Sequence, residues 1–107
     1  YTLPDLPYDY SALEPHYSAQ LLALHHDTHH AAYVTGANAV LETLAAARLQ
    51  RDFAGINQWQ KSLAFYVSGH ILHSLQWCNL SPHGGGLPDR SVVQLFRQCF
   101  GSFDAFK

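Results

Sequence analysis

Residues 25–30 read His-His-Asp-Thr-His-His, an unusual density of imidazoles even for a chain with eight histidines in 107 residues. The stretch lies in a proline-free segment that runs from residue 18 to about residue 48. Apolar residues recur there at steps of three, four and seven, which predicts one long helix buried over much of its surface. His25, His29 and Tyr33 then share one face, because residues four apart on a helix are neighbours.

A second pair of histidines, His70 and His73, lies on the next predicted helix. We expect that helix to run from about residue 58 to 78, with the preceding Asn57 as its N-cap, after a connector at residues 49–57. In an antiparallel hairpin, facing residues have a nearly constant sum of numbers. For His25 and His73 the midpoint falls at the start of the connector, about 24 residues or ~36 Å of helix rise away. The pattern therefore predicts that the two histidine clusters meet.

Facing imidazoles are a good beginning for a site that binds zinc, copper, iron or manganese. A lone histidine on an apolar helix is more often structural, but four histidines in six residues facing two more favour a metal site. Three other kinds of site lack their motifs. A zincin needs Glu after the first His, a di-iron carboxylate bundle needs Glu three residues before a His, and a hydrolase elbow needs G-x-S-x-G. Neither Glu14 nor Glu42 stands in such a position.

Prolines and glycines punctuate the rest of the chain. Residues 1–10 predict an extended arm, and the capping-box spacing of residues 11–14 predicts a short helical turn. Residues 79–89 contain three consecutive glycines between prolines and predict a loop or linker. A helix is expected at residues 90–100, and residues 102–106 resemble the first turn of another. Because that turn carries two uncovered phenylalanines, we expect either further fold beyond it or a partner that covers it.

The composition excludes several classes of protein. Hydrophobic residues make up 48% of the chain and charged residues 13%, which excludes a disordered tail. The net charge is -2 and there is no basic stripe, so we expect no nucleic-acid partner. No apolar run approaches the ~18 residues of a membrane span, so we expect no membrane association. Cys78 and Cys99 form no C-x-x-C motif, and we expect both to be reduced and buried.

Longer motifs point to a known family. They are residues 1–10, 12–16, 25–34, 68–74, 77, 79–86 and 100–103. Together they resemble the N-terminal half of an iron/manganese superoxide dismutase over nearly the whole chain. The resemblance implies a mainly α structure: a long antiparallel helical hairpin domain at residues 1–83. Residues 84–107 would then be the linker and the first helix of an incomplete, truncated C-terminal α/β domain.

The same resemblance implies roles for four residues. His25 and His73 match the first two metal ligands of the family, and Tyr33 and His29 match its catalytic gateway tyrosine and the histidine beside it. The implied cofactor is a mononuclear Mn or Fe that alternates between +3 and +2 while superoxide is converted to dioxygen and hydrogen peroxide. The implied assembly is a homodimer or homotetramer. Bacterial cytoplasm and mitochondrial matrix are both compatible locations, and the sequence does not distinguish them.

The chain also departs from the family pattern. The other two ligands, an Asp and a His, belong to the C-terminal half of the family, so this chain matches two of four. Thr28, Tyr66, Leu72 and Gln76 replace residues that are usual near the site, whereas the Ser-Gly-His at residues 68–70 favours manganese. These departures leave an alternative open: a non-catalytic, superoxide-dismutase-like structural or interaction subunit of a larger assembly.

Overall fold

The main feature of the fold is an antiparallel helical hairpin, seen in a computed structural model that describes all of residues 1–107. Its first arm is one continuous rod made of α1 (Ala19–Ala23), a π-helical segment (Leu24–His30) and α2 (Ala31–Gln50). Its second arm is α3 (Ile56–Asn79). The chain contains helices and no strand, which confirms the predicted mainly α hairpin.

The predicted long helix over residues 18–48 is confirmed as a continuous rod, but the histidine stretch within it is π-helical, which the sequence pattern did not indicate. The backbone N–H of Ala31 bonds the carbonyl oxygen of His26, five residues back, as π-helical geometry requires. Such segments widen one turn of a helix and are frequent at functional sites. All four histidines of the stretch therefore project from a locally widened turn.

The connector between the two arms is shorter than predicted and spans residues 51–55. Arg51 adopts the left-handed conformation, with φ 54°, that ends many helices. The Asp52 carboxylate accepts a 3.0 Å hydrogen bond from the backbone N–H two residues later, which closes the turn. Because the turn is completed early, α3 is capped by Gly55, and the predicted N-cap at Asn57 is wrong.

Two further helices follow the glycine-rich loop, α4 (Arg90–Phe100) and α5 (Phe103–Phe106). Their bounds confirm the sequence prediction. The Asp89 side chain caps α4, Gly101 ends it with φ 83°, and the Ser102 hydroxyl caps α5. Phenylalanines of the two helices stack on each other, and the closest pair of ring centroids is 4.0 Å apart.

The N-terminal arm is held against the hairpin by a small core and by side-chain hydrogen bonds. Leu13, Leu22 and Trp77 form the buried cluster, against which Tyr8 and Tyr17 pack. The hydroxyl of Tyr8 donates a 3.0 Å hydrogen bond to the backbone carbonyl of Trp77. This cluster lies beneath the histidine stretch and therefore supports the site from below.

Residues 11–14 form hydrogen-bonded turns and not the predicted helical turn with a capping box. The Glu14 carboxylate instead accepts a 3.1 Å hydrogen bond from the backbone N–H of Ala19, at the start of α1. The Ser18 hydroxyl accepts a second one from Leu21. Two side chains thus satisfy the donors at the beginning of the rod, which fixes where the helix starts.

The hairpin exposes more apolar surface than its sequence pattern suggests. Leu21 and Leu24 on the first arm are 51% and 58% exposed, and Phe65 and Leu72 on α3 are 59% and 63% exposed. The predicted burial of the long helix is therefore only partly confirmed. The two cysteines are free as predicted, but both are exposed, so the expectation that they are buried is wrong. None of the helices combines the length and apolarity needed to cross a bilayer.

Candidate metal centre

The two predicted ligands meet across the hairpin. The Nε2 atoms of His25, in the π-helical segment, and His73, on α3, are 3.0 Å apart although 48 positions separate the residues. The hairpin arithmetic of the sequence thus correctly predicted their level. His29 joins them: the three residues offer ligand atoms that all lie within 4.8 Å of one another. His25 and His73 are half-buried, whereas His29 is exposed.

Hydrogen bonds at the far side of each ring orient its Nε2 atom. Nδ1 of His73 lies 2.7 Å from the carbonyl oxygen of Gly69. A carbonyl only accepts, so Nδ1 carries the hydrogen and Nε2 presents a bare lone pair in the neutral ring. Nδ1 of His25 lies 2.8 Å from the hydroxyl of Tyr17, a group that can both donate and accept. Such outer contacts typically hold metal-binding imidazoles in place.

Burial and neighbouring imidazoles favour the protonation state of His25 that binds metal. Burial, followed by the proximity of His73 and His29, lowers the pKa of His25 below its ordinary value. A neutral ring at physiological pH is the form that donates a lone pair to a cation. The lowered pKa of His25 thus favours its neutral, metal-binding form.

The distance between the two Nε2 atoms fits a shared cation. Two nitrogens about 2.1 Å from one ion are roughly 3.0–3.4 Å apart for angles of about 90–110° at the metal. The observed 3.0 Å between His25 and His73 lies at the lower end of that range. Imidazole nitrogens suit iron and zinc, and they also bind other first-row metals. The pair can therefore hold one side of a metal ion and needs further ligands to complete its shell.

Tyr33 and His29 lie beside the ligand pair, and His29 is exposed whereas Tyr33 is half-buried. The ring centroid of Tyr33 lies 5.1 Å from the ring centroids of both His29 and His73, and 5.6 Å from that of Phe65. His29, His25 and Thr28 also line an open cavity of about 530 Å³. The structure therefore brings all four predicted site residues together.

Gly69 holds Tyr33 in this place by having no side chain. A Cβ at residue 69 would lie 2.3 Å from Cδ1 and 2.6 Å from Cγ of Tyr33, at the root of the ring where rotation gives no relief. We expect Gly69→Ala to expel Tyr33 and to destabilise the metal-free protein by about 1–3 kcal/mol. Urea denaturation measures the stability, and the Tyr33 ring shifts report its position. Unchanged ring shifts would contradict the contact.

Three side chains next to the ligand pair form a hydrogen-bond chain with a fixed direction. The indole N–H of Trp77 donates to Nδ1 of His30 at 2.9 Å, and Nε2 of His30 lies 2.8 Å from Nδ1 of His70. Indole only donates, so the hydrogen of neutral His30 sits on Nε2 and is donated to His70. The His30 ring also stacks on His73 with centroids 5.4 Å apart. Both nitrogens of His30 are thus occupied, and it is a support and not a ligand.

His30 has a consequence for stability at low pH. Burial, followed by nearby His70, His73 and His26, lowers the pKa of His30 from 6.5 to about 4. The unfolded chain therefore binds one more proton than the folded chain between those two pH values. We expect the metal-free protein to lose stability as pH falls from about 6.5 to about 4, with a limiting slope of about 1.4 kcal/mol per pH unit.

Urea denaturation at a series of pH values measures this dependence, with His83→Gln as the control because His83 is an exposed loop residue. The control should keep the same slope, whereas His30→Gln should reduce it. A slope through this pH range that is independent of His30 would contradict the prediction. A bound cation would lower the pKa of His30 further, so its presence leaves the direction unchanged.

His26 links the stretch to the N-terminal arm. It is only 5% exposed, and its ring nitrogens lie 2.8 Å from the carbonyl oxygen of Pro4 and 2.7 Å from a carboxylate oxygen of Asp27. Tyr10 donates a 2.7 Å hydrogen bond to the same oxygen. The hydrogen bond from Tyr10, and then the one from His26, lowers the pKa of Asp27. Both nitrogens of His26 face acceptors, so His26 is an anchor for the arm and not a ligand.

Several residues that shape the centre were not singled out from the sequence as parts of it. Tyr17, Gly69 and Trp77 support the ligands or Tyr33, whereas His30 and His70, which were counted in the predicted clusters, are supports and not ligands. The spacing of Gly69, one helical turn before His73, is a pattern that points to a carbonyl partner. Nothing in the sequence alone links Tyr17 to His25, because that contact depends on how the arm folds back.

Comparisons with known proteins agree with this geometry. The family described as iron/manganese superoxide dismutases, alpha-hairpin domain, matches residues 1–81. The chain is 55% identical over its whole length to a Mn superoxide dismutase of Nocardia asteroides and 51% identical to one of Mycolicibacterium fortuitum. It is 52% identical to a Mn/Fe superoxide dismutase of Propionibacterium freudenreichii subsp. shermanii.

In each case the whole chain is matched and covers 52%, 52% and 54% of the respective relative. The chain thus spans about half the length of the curated relatives it matches. The matched residues include the π-helical histidine stretch and His73 on α3, which build the centre. The chain belongs to the iron/manganese superoxide dismutase family.

Proposed function

We propose that the native protein is a superoxide dismutase and that this chain supplies the N-terminal half of its metal site. The observation that carries the proposal is the 3.0 Å approach of the Nε2 atoms of His25 and His73, with both Nδ1 atoms engaged by other groups. Each ring is oriented by an outer contact at Nδ1 while its Nε2 faces the other ring, which is the arrangement typical of metal-binding imidazoles. A cation between them explains their arrangement.

His25 and His73 are the proposed ligands, and the remaining ligands come from outside these residues. A bound Mn or Fe would supply one-electron redox chemistry, in which one superoxide is oxidised to dioxygen and a second, with two protons, is reduced to hydrogen peroxide. Manganese is slightly favoured, because relatives at 51–55% identity are named as Mn forms. Zinc has no accessible redox change and would not support this reaction.

Tyr33 and His29 are the proposed catalytic residues beside the ligand pair. The phenol of Tyr33 is a neutral donor that can give one hydrogen bond to an approaching superoxide anion. His29 is exposed and adjacent to Tyr33, which supports a position at the entrance in preference to a third ligand. The two side chains would orient the anion and carry hydrogen bonds to it.

We further propose a homodimer or homotetramer, since the exposed apolar side chains of the hairpin leave surface for association. The relatives compared above are bacterial, which favours bacterial cytoplasm over mitochondrial matrix as the location. Size-exclusion chromatography with light scattering tests the assembly. A monomer at micromolar concentration would contradict the proposed oligomer.

The test of the function is made on protein from its native source. Its intact mass, bound metal per subunit and superoxide dismutation rate are measured together. We expect a mass roughly twice the 12.0 kDa of these residues, about one Mn or Fe per subunit, and catalysis. A mass near 12 kDa without stoichiometric metal would favour the alternative, a non-catalytic structural or interaction subunit of a larger assembly.

A further inference from the structure

A second contact between a glycine and a tyrosine accompanies the one between Gly69 and Tyr33. A Cβ at residue 36 would lie 2.5 Å from Cδ1 and 2.7 Å from Cζ of Tyr66. The Tyr66 ring therefore occupies the space that a side chain at Gly36 would need. Gly36 belongs to α2 and Tyr66 to α3. At both contacts, a ring of one arm thus packs directly on the backbone of the other.

The two contacts are reciprocal and lie at one level of the hairpin. On α2, Tyr33 precedes Gly36 by three residues. On α3, Tyr66 likewise precedes Gly69 by three residues. Each arm therefore gives one ring and receives one, on a single helix face, because residues three apart on a helix are neighbours. The residue numbers in both contacts also add to the same total, as facing pairs of an antiparallel hairpin do. Together the contacts set the spacing of the arms at this level.

The rings at this level also pack against one another. The centroid of the Phe65 ring lies 5.3 Å from that of Tyr66 and 5.6 Å from that of Tyr33. Tyr33 in turn lies against His73, with ring centroids 5.1 Å apart. Closely packed groups transmit a displacement to their neighbours. A shift of the Tyr66 ring can therefore reach Tyr33 by two routes, through the backbone of α2 at Gly36 and through Phe65.

We propose that Tyr66 is a positioning residue for Tyr33: its ring on Gly36 sets how closely α2 approaches α3, and it thereby holds the Tyr33 ring beside His73. The inference rests on the proposed function in taking Tyr33 as the catalytic tyrosine. The position of the Tyr33 ring is measurable whether or not the protein is active. Ring carbons of Tyr66 make the contact with Gly36, so its hydroxyl is not needed.

The first test measures the position of the Tyr33 ring by NMR. Spectra of the native protein are recorded with added Zn²⁺, a cation without unpaired electrons, in place of a redox metal. We expect Tyr66→Ala to weaken the nuclear Overhauser effect between the Tyr33 ring and the Hα atoms of Gly69. Tyr66→Phe should preserve this effect, because it keeps the ring. An unchanged effect in Tyr66→Ala would overturn the proposal.

The matched control for Tyr66→Ala is Trp59→Ala. The Trp59 ring packs on Gly55 in the same manner, since a Cβ at residue 55 would lie 2.5 Å from Cε2 of Trp59. That contact lies near the hairpin tip, away from Tyr33. The control should leave the signals between Tyr33 and Gly69 unchanged. An equal change in Trp59→Ala and Tyr66→Ala would overturn the proposal, because any loss of packing in the hairpin would then move Tyr33.

A second variant tests the contact from the other arm and keeps every aromatic ring. Gly36→Ala places a methyl group where the Tyr66 ring lies, so one of the two must move. Alanine is favoured over glycine within a helix by about 1 kcal/mol, so we expect this variant to fold. It should displace Tyr33 when introduced alone and cause no further displacement when combined with Tyr66→Ala. No displacement in either background, or the same displacement in both, would overturn the proposal.

Kinetic measurements on the native protein test whether Tyr66 acts through Tyr33. We expect Tyr66→Ala to leave the bound metal per subunit unchanged. It should lower the dismutation rate per bound metal about 10–100-fold, because a misplacement of about 1 Å can cost roughly 100-fold in rate. In a Tyr33→Phe background, Tyr66→Ala should lower the rate little further, since the two effects are then not additive. Equal losses in the two backgrounds would overturn the proposal.

The outcomes separate this inference from the proposed function. If the unmodified native protein does not dismutate superoxide, the proposed function fails, and the NMR measurements still decide whether Tyr66 positions Tyr33. If the unmodified protein is active and the contact of Tyr33 with Gly69 persists in Tyr66→Ala, the proposed function stands and the role of Tyr66 is overturned.

Discussion

In the native protein, His73→Ala is expected to abolish stoichiometric metal binding and, with it, superoxide dismutation. His73 provides one of the two nitrogen atoms that meet across the hairpin, and its Nε2 is the group nearest to Nε2 of His25. Removal of a residue that is hydrogen-bonded to a metal ligand typically lowers metal affinity roughly 10–100-fold. Removal of the ligand itself should lower metal affinity by more than this. Elemental analysis of the purified protein and an activity assay measure the two effects.

The control for His73→Ala is His83→Ala, since His83 is an exposed histidine in the loop after α3. It should retain both metal and activity. Circular dichroism checks that the His73 variant keeps its helices despite the lost hydrogen bond to Gly69. Full metal content in a folded His73→Ala protein would contradict the proposed ligand. An unmodified protein with no stoichiometric metal and unchanged assembly in the variant would instead favour the structural-subunit alternative.

The hairpin could be predicted from the sequence because it depends on local sequence patterns and on the number of residues on each side of the connector. Helical periodicity predicted the first arm, and Gly101 and Ser102 marked the end of α4 and the start of α5. The pairing of His25 with His73 followed from the position of the connector. The capping residue of α3 was missed, because the helix begins two residues before the predicted start, directly after the turn that Asp52 closes.

The π-helical segment could not be predicted from periodicity. Both α and π geometries place residues four positions apart near each other, so the sequence pattern does not distinguish them. What differs is the set of contacts that the widened turn permits. Here it allows His30 to reach Trp77 and His70, while His26 reaches the carbonyl of Pro4. These partners lie on other segments, and only the folded chain brings them together.

The candidate site was likewise only partly predictable from the sequence. The proposed ligands and Tyr33 were found from spacing and resemblance, since they share helix faces. Their supports were missed, because Tyr17 and Trp77 act through contacts that depend on how the arm and α3 pack. Burial was overestimated for Leu21 and Leu24, because periodicity says which face is apolar and not what covers it.

Trp77 is the residue whose removal should cost the fold most. It is 1% exposed and one of the largest fully buried side chains, and it packs with Leu13 and Leu22 under the histidine stretch. Its indole ring also contacts His25, with centroids 4.9 Å apart, and donates a hydrogen bond to His30. We expect Trp77→Ala to destabilise the metal-free protein by about 3–5 kcal/mol, measured by urea denaturation.

A second substitution separates packing from hydrogen bonding. Trp77→Phe keeps most of the ring volume but leaves Nδ1 of His30 without its donor, and we expect a smaller loss of about 1–3 kcal/mol. Trp59→Ala is the control, because Trp59 is only half-buried near the hairpin tip and should cost less than Trp77→Ala. Metal-free protein is used throughout, since bound metal adds stability of its own. Equal losses in Trp77→Ala and Trp59→Ala would contradict a core centred on Trp77. Equal losses in Trp77→Ala and Trp77→Phe would mean that the hydrogen bond to His30, and not the volume of the indole, holds α3 against the histidine stretch.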